Sequence, residues 1–381
     1  MTSTAPVEAG QSAAELLDSV NSALARYVVL PTLDASYAIT LWIAATHAQP
    51  AWAHAPRLVI RAPEKRCGKS RLLDLIEAMC HDPFITVNAS TSSIYRSVTD
   101  DPPTLLVDEA DTIFGPRAGQ HEDLRGLLNA GHQRNRPIKR YNAETKQVES
   151  LPTFAMAALA GIGAMPGTIE DRAVIVRMRR RLPNESTAPF RHRRDRPALR
   201  ELATQLNKWV RTSLDALELA VPDMPVEDRA ADTWEPLVII ADHAGGDWPD
   251  RARAAVLALT AEHDADQETS LGVRLLTDCR AAFGDDAAVS TTSLLDRLKR
   301  DPEGPWAAHG PVGMTPAKLA DYLREYDIRS GNVRFSDGSQ AKGYKRVHFG
   351  DAWQRYCPTL NTNTPAAGTL LQLLPLEGDV A

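Results

Sequence analysis

The chain has 381 residues, 43% of them hydrophobic and 24% charged, with a formal net charge of -6. That length favours two or three domains, each able to bury its own core, and the composition is that of a soluble globular protein. A mildly acidic total argues against a simple polyanion-coating protein but leaves nucleic acid open, because the clustering of basic residues decides that question.

Cys67, Cys80, Cys279 and Cys357 are scattered, with no C-x-x-C pair and no histidine pattern nearby. Structural zinc and disulfides are therefore not expected. The N-terminus lacks a basic region followed by an apolar core, and no run reaches membrane-spanning length, so the expectation is a cytoplasmic protein with no membrane partner.

In chain order, "SAAELLDSVNSALARYVVL" and "TLDASYAITLWIAATHA" carry apolar residues at helical spacing and predict an N-terminal helical cap over 1–55. From about residue 56 the texture changes to short apolar strands alternating with helices. "RLVIRA" (57–62), "PFITVN" (83–88), "TLLVDEAD" (104–111), "FAMAALAGI" (154–162) and "RAVIVRM" (172–178) are the strands. "KSRLLDLIEAMC" and a short segment near "SSIYRSV" are the first helices between them. This alternation predicts an α/β fold over 56–182, a parallel sheet with helices on both faces. "RPIKRYNAETKQVESLPTF" (136–154) alternates in two arms and predicts a β-hairpin just before the fourth core strand.

Residues 183–267 read as amphipathic helices, a helical lid. Over 268–357, three short helices and a hairpin around "SDGSQAKG" predict a winged helix-turn-helix, and 358–381 reads as a loose tail.

The chemistry concentrates at "RAPEKRCGKSRLL", residues 61–73. The stretch ends as a phosphate-binding loop does, with Gly68, Lys69 and Ser70, but Pro63 replaces the first glycine of G-x-x-x-x-G-K-[ST]. A strand precedes it and a helix follows, which is the context such a loop needs. Backbone N–H groups over Glu64, Lys65, Arg66, Cys67, Gly68, Lys69 and Ser70, with the positive end of the helix, would surround a β-phosphate of ATP. Lys69 would reach the β/γ-phosphates and the Ser70 hydroxyl would hold Mg²⁺. The bland alternative is a basic strand-to-helix turn.

"TLLVDEAD" ends its strand in Asp108 and Glu109, suited to holding Mg²⁺ through water and to polarising the water that attacks the γ-phosphate. Alone, such a pair also serves as a helix cap. Arg172 opens the fifth strand and is placed to reach a neighbouring subunit's γ-phosphate, or else to pair with Glu170 or Asp171. "FAMAALAGIG" ends without an Asn, Thr or Asp that could orient a water, so weak or partner-stimulated hydrolysis is expected.

Candidate DNA contacts are Lys139, Arg140 and Lys146 on the hairpin, where lysines also serve solubility, and Lys318 and Arg346 on the third helix and wing, joined there by Arg324, Arg334, Lys342 and Lys345. Winged helices also dock proteins. The densest positive segment, "RMRRRLPNESTAPFRHRRDR" (177–196), would neutralise phosphates without reading sequence, or pair with acidic helices as a connector.

Two resemblances follow from these residues. The compact spacing from Lys69 to Asp108, the glutamate after the aspartate and the later strand available for insertion between the two motif strands resemble the AAA+ and superfamily-3 helicase branch of P-loop ATPases. The set "LWIAATHA", "PRLVIRAPEKRCGKSRLL", "PTLLVDEADTIF", "LRGLLNAGH", "ALAGIG" with "TIEDRAVIVRMRRR", "DRAADTWEPLVIIADHAGGDWPDRARAA" and "GYKRVHFGDAWQRY" spans nearly all of 27–357. It resembles a family of uncharacterised actinobacterial and phage P-loop proteins, often the C-terminal part of primase-like, Toprim-linked or replication proteins of mobile elements. The resemblance implies an ATPase core without a characterised mechanism. With no attached primase domain, this chain is expected to be a stand-alone motor or loader.

The resulting expectation is an ATP- and Mg²⁺-dependent hydrolase, helicase-like, acting on DNA as a ring or other homo-oligomer with replication proteins as further partners. The alternative is an ATP-gated regulatory or defence switch whose winged module docks a protein. A small-molecule kinase is a third reading, for which no convergent acceptor residues are seen.

Overall fold

Alternation along the strands decides the architecture. Leu58 and Ile60 face one core and Val59 the other; Val174 and Val176 face the first and Ile175 the second; Leu106 separates from Leu105 and Val107 in the same way. Strands apolar on both faces are buried on both faces, as a parallel sheet sandwiched between helices requires. The structure, a computed structural model, describes residues 11–86, 97–114, 122–142, 146–266, 271–301, 304–309, 313–335 and 338–357. The short helix expected near 92–98 lies outside these apart from Ser97 and Val98, and so does the tail 358–381. The chain divides into two compact units, Met1–Asp266 and Gln267–Ala381.

The first unit opens with α1 (Ala13–Tyr27) and α2 (Leu33–Thr46). Ser12 and Glu15 form a reciprocal capping box at the start of α1, and the Thr32 hydroxyl accepts from Ala35 N at the start of α2. Nearly every residue of α2 is buried, because helices from both ends of the unit pack around it.

There follow β1 (Arg57–Ala62), α3 (Lys69–Met79), β2 (Pro83–Thr86), β3 (Thr104–Val107), α4 (Ala110–Phe114), α5 (Glu122–Ala130), β4 (Ile138–Asn142), β5 (Gln147–Leu151), β6 (Ala157–Ile162), α6 (Gly167–Glu170) and β7 (Ala173–Arg177). Among the described residues, five strands form one parallel sheet in the order β2-β3-β6-β1-β7. The fourth core strand, β6, thus lies between β1 and β3. The expected hairpin is present as the antiparallel pair β4–β5, with Ile138 and Leu151 anchoring its base against the second core.

Four helices complete the unit: α7 (His192–Arg211), α8 (Leu214–Glu218), α9 (Asp228–Ala244) and α10 (Trp248–Asp266). They pack on α1, α2 and α3, so cap, sheet face and this helical segment share one apolar core.

The second unit contains α11 (Leu271–Phe283), β8 (Ala288–Ser290), α12 (Thr291–Arg300), α13 (Pro316–Arg324), β9 (Gly331–Arg334), β10 (Gln340–Lys345) and α14 (Gly350–Tyr356). The hairpin β9–β10 was expected; the short strand β8 was not. It pairs antiparallel with β10 to give the order β8-β10-β9. Gly343 permits this pairing, since a Cβ there would lie 2.4 Å from Val289 O. Phe283, Trp306, Phe349 and Trp353 fill the core.

Candidate active site

The turn leaving β1 is shaped by backbone handedness. Arg66 (φ 67) and Gly68 (φ 84) are left-handed, and Gly68 caps α3. A Cβ on Gly68 would meet Val28 Cγ2 at 3.4 Å and Met178 Cε at 3.5 Å, which are ordinary contacts. The glycine is therefore required by its dihedral angle, not by crowding within the chain. Cys67 is buried beneath the loop, whereas Glu64, Lys65, Arg66 and Ser70 are exposed.

Pro63 fits because the last ladder bonds of β1 use its carbonyls: Gly163 N donates to Ala62 O and Met178 N to Arg61 O. The missing proline N–H leaves none of these bonds unfilled. Lys69 Nζ reaches back across the loop to Glu64 O at 3.0 Å, and Arg180 pairs with the Glu64 carboxylate at 3.1 Å.

Val59 and Val107 both register on Leu159, so β1 runs three residues beyond β3 along the same direction. Asp108 and Glu109 leave β3 at the edge of the sheet that carries the loop. Glu109 is left-handed at φ 53, a strained conformation for a residue with a side chain, and its N–H donates to Asp108 Oδ1 at 2.9 Å. The turn also holds Asp111, whose Oδ1 accepts from Ile162 N at 3.0 Å and ties α4 to the end of β6. Sequence reasoning passed over Asp111; its position two residues after Glu109 in a helix start was the available signal.

Arg172 lies at the other edge of the sheet, just before β7. The carboxylates expected to compete for it are engaged elsewhere: Glu170 with Arg61 at 3.1 Å, and Asp171 with Arg229 at 3.2 Å. Its guanidinium donates to Thr168 O instead. On the hairpin, Lys139 and Lys146 are exposed and Arg140 lies in register with Glu149. Sequence reasoning missed Tyr141 and Val148, a directly opposed pair exposed by 63% and 65%.

In the second unit, Lys318 is exposed on α13, as are Arg334, Lys342 and Lys345 on the sheet. Arg346 is occupied: it donates to Gly284 O and stacks over Trp353 at 5.5 Å. Much of the basic segment 177–196 is likewise paired, with Arg177 on Glu262, Arg194 on Asp195 and Arg196 on Glu77. The connector reading of that segment is the one this geometry favours.

A 28.9 kDa protein of Saccharopolyspora erythraea, described as uncharacterised and in the xis 5′ region, is 59% identical over 188 residues, covering 49% of this chain and 72% of that protein. The chain belongs to that protein's family. Residues 177–356 match the DUF3631 model, described as a protein of unknown function. That match begins at the end of β7, so it covers α7 to α14 and leaves the loop after β1 outside. Two solved apo A-form structures of the NrS-1 C-terminal region, one of them residues 305–718, show 9% identity with TM-scores of 0.43 and 0.39. Each covers 87% of this family member, and 75% and 74% of the respective chains are covered.

Proposed function

We propose that the chain is a Mg²⁺-dependent ATPase that acts on DNA as an oligomer, in replication or maintenance of a mobile element. One observation carries the reading: β6 is inserted between β1 and β3, and the lysine-bearing loop and the Asp108–Glu109 pair leave the sheet at the same edge. Ligands of open parallel sheets bind beyond the carboxyl ends of the strands. The relative's location in the xis 5′ region supports the mobile-element context.

The residues fit the groups the reading requires. Left-handed Arg66 and Gly68, at the positive end of α3, suit a loop whose N–H groups turn toward an anion. Lys69 supplies a mobile positive charge. Ser70 and Asp108 offer hard oxygens to a magnesium ion, which keeps several waters and takes other ligands from phosphate. Such an ion would neutralise charge on the phosphates during transfer. Glu109 holds and polarises the attacking water, and Arg172 serves a neighbouring copy, since it sits at the edge away from its own loop.

DNA is assigned to the β4–β5 hairpin, where Lys139, Arg140 and Lys146 flank the Tyr141–Val148 pair. Exposed lysines alone are explained by solubility; an exposed apolar pair between them is not. In the second unit, α11, α12 and α13 with a three-stranded sheet and exposed Lys318, Arg334, Lys342 and Lys345 suit a winged helix on a phosphate backbone. The end of β6 favours the second reading, an ATP-gated switch, because Asp111 occupies Ile162 N and no polar side chain follows on Gly163 or Ala164.

The deciding measurement is ATP turnover with and without single-stranded DNA. Turnover that rises with DNA, falls with added salt and disappears in Lys69→Ala and Glu109→Gln is expected. Turnover that survives both substitutions overturns the assignment. ATP-dependent assembly indifferent to DNA selects the switch.

A further inference from the structure

At the N-terminal edge of the sheet a recess of about 220 Å³ opens among four elements. His54 precedes β1, His132 and Arg136 lie between α5 and β4, Arg172 precedes β7, and Arg229 and Asp232 come from the first turns of α9. Three guanidinium groups and two imidazoles face one carboxylate. Arg136 and Arg172 have no carboxylate partner among the described residues, while Arg229 shares its charge with Asp171.

Behind the recess lies a further cation. Arg57 is 1% exposed and donates to the carbonyls of Ala55, Leu128 and Ala155; its Nε has no partner. Burial and then the charge of Arg172 push its pKa down to about 9. His132 is held at about 4 by burial, with the charges of Arg172, Arg57 and His54 acting in the same direction. His54 Nδ1 makes no hydrogen bond and stands 3.8 Å from Asp232 Oδ1. Against Asp171 on Arg229 and Asp232 and Glu235 beside His54, the four guanidinium groups of Arg57, Arg136, Arg172 and Arg229 leave the opening positive. Arg136 and Arg172 face it without a carboxylate among the described residues, an arrangement that suits an anion.

We propose that this recess is a second oxyanion site, taking a terminal phosphate. Guanidinium forks arriving from three elements match a multiply charged group with several oxygens better than they match a single carboxylate. The phosphate is not one held by the chain's own loop, which leaves the opposite end of β1, about 17 Å away at about 3.3 Å per residue. It comes from solution or from a nucleotide on a second copy. Only the second source rests on the proposed ATPase; the recess stands without it.

The test uses the full chain and sodium tripolyphosphate, against sodium chloride of equal ionic strength, with binding followed by calorimetry. Lys69→Ala, which disables the loop, is expected to retain tripolyphosphate binding. Arg136→Ala/Arg229→Ala in that background should weaken it about tenfold or more, and Arg136→Lys/Arg229→Lys should restore part of the loss. Both arginines are exposed enough for truncation to spare the core. Loss of binding in Lys69→Ala alone, or no change in the double alanine variant, overturns the proposal.

Mixing then separates the sources. Lys69→Ala chains combined with Arg136→Ala/Arg229→Ala chains should turn over ATP above the sum of the two alone if the phosphate belongs to a second copy. A simple sum, with tripolyphosphate binding intact, identifies a phosphate from solution.

Discussion

At its C-terminal edge the sheet presents exposed Ser70 and Glu109 and a half-buried Lys69 beside turns whose left-handed residues, Arg66, Gly68 and Glu109, set the direction of the N–H groups. At its N-terminal edge the arrangement is reversed. There the charge is partly buried, carried by Arg57 and the side chains in front of it, and the backbone supplies carbonyl acceptors. If both proposals hold, the difference teaches that one sheet offers two unlike anion sites, one made by main-chain dipoles and one by guanidinium groups, separated by the length of a strand.

The widest separation of the two edges is expected in catalysis. Lys69→Ala or Glu109→Gln should lower ATP turnover by about 10²-fold or more, because on the proposed reading Lys69 contacts the β/γ-phosphates and Glu109 polarises the attacking water. Neither should alter tripolyphosphate binding at the recess. A common response would mean that the edges form one site.

Next in size is a stability effect confined to the N-terminal edge. Arg57→Leu removes the donor for three buried carbonyls, and each uncapped buried group costs about 1–3 kcal/mol. A loss of about 3 kcal/mol or more is expected from denaturant titration. An unchanged midpoint would show that the buried cation is dispensable for the fold and is kept for the recess alone.

How much of this was legible in the sequence follows the same division. The C-terminal edge was readable because its chemistry is local: a strand, a turn with Gly68, Lys69 and Ser70, and an acidic pair at the next motif strand all lie in short contiguous segments. Even there, the reason Gly68 is required came from a dihedral angle that no residue pattern prints. The N-terminal edge was not readable, because His54, His132, Arg172 and Arg229 are distant in sequence and meet only after β1, β7 and α9 are assembled. For Arg172, sequence offered two carboxylate neighbours; the fold gave them to Arg61 and Arg229. Strand β8 was missed since three residues are too few to show a period, and its pairing depends on Gly343 some fifty positions later.

Titration provides a third contrast, between the helical core and both edges. His47 is buried, donates through Nε2 to Met79 O at 2.9 Å and has its pKa lowered by burial to about 3. Between its ordinary value and that value the unfolded chain binds a proton that the folded chain does not. Stability is therefore complete at neutral pH and falls as the pH drops, by about 2 kcal/mol at pH 5. His81 shifts in the same direction. His47→Gln keeps a donor without a titrating group, so its stability should depend less steeply on pH between 7.5 and 5. An equal slope would place the acid sensitivity elsewhere.

The smallest effect concerns the hairpin, which neither edge explains. If Lys139 and Lys146 each neutralise one DNA phosphate, removing either should weaken single-stranded DNA binding modestly. It should also reduce the slope of log affinity against log salt by about 0.7 per phosphate contact. Tyr141→Ser should behave differently: stacking carries no counterion release, so affinity should fall with the salt slope unchanged. That pattern would assign charge and stacking to separate residues of one hairpin. A Tyr141→Ser variant that binds as well as the unaltered chain would instead make the Tyr141–Val148 pair a contact between copies, to be read in the assembly state rather than in DNA affinity.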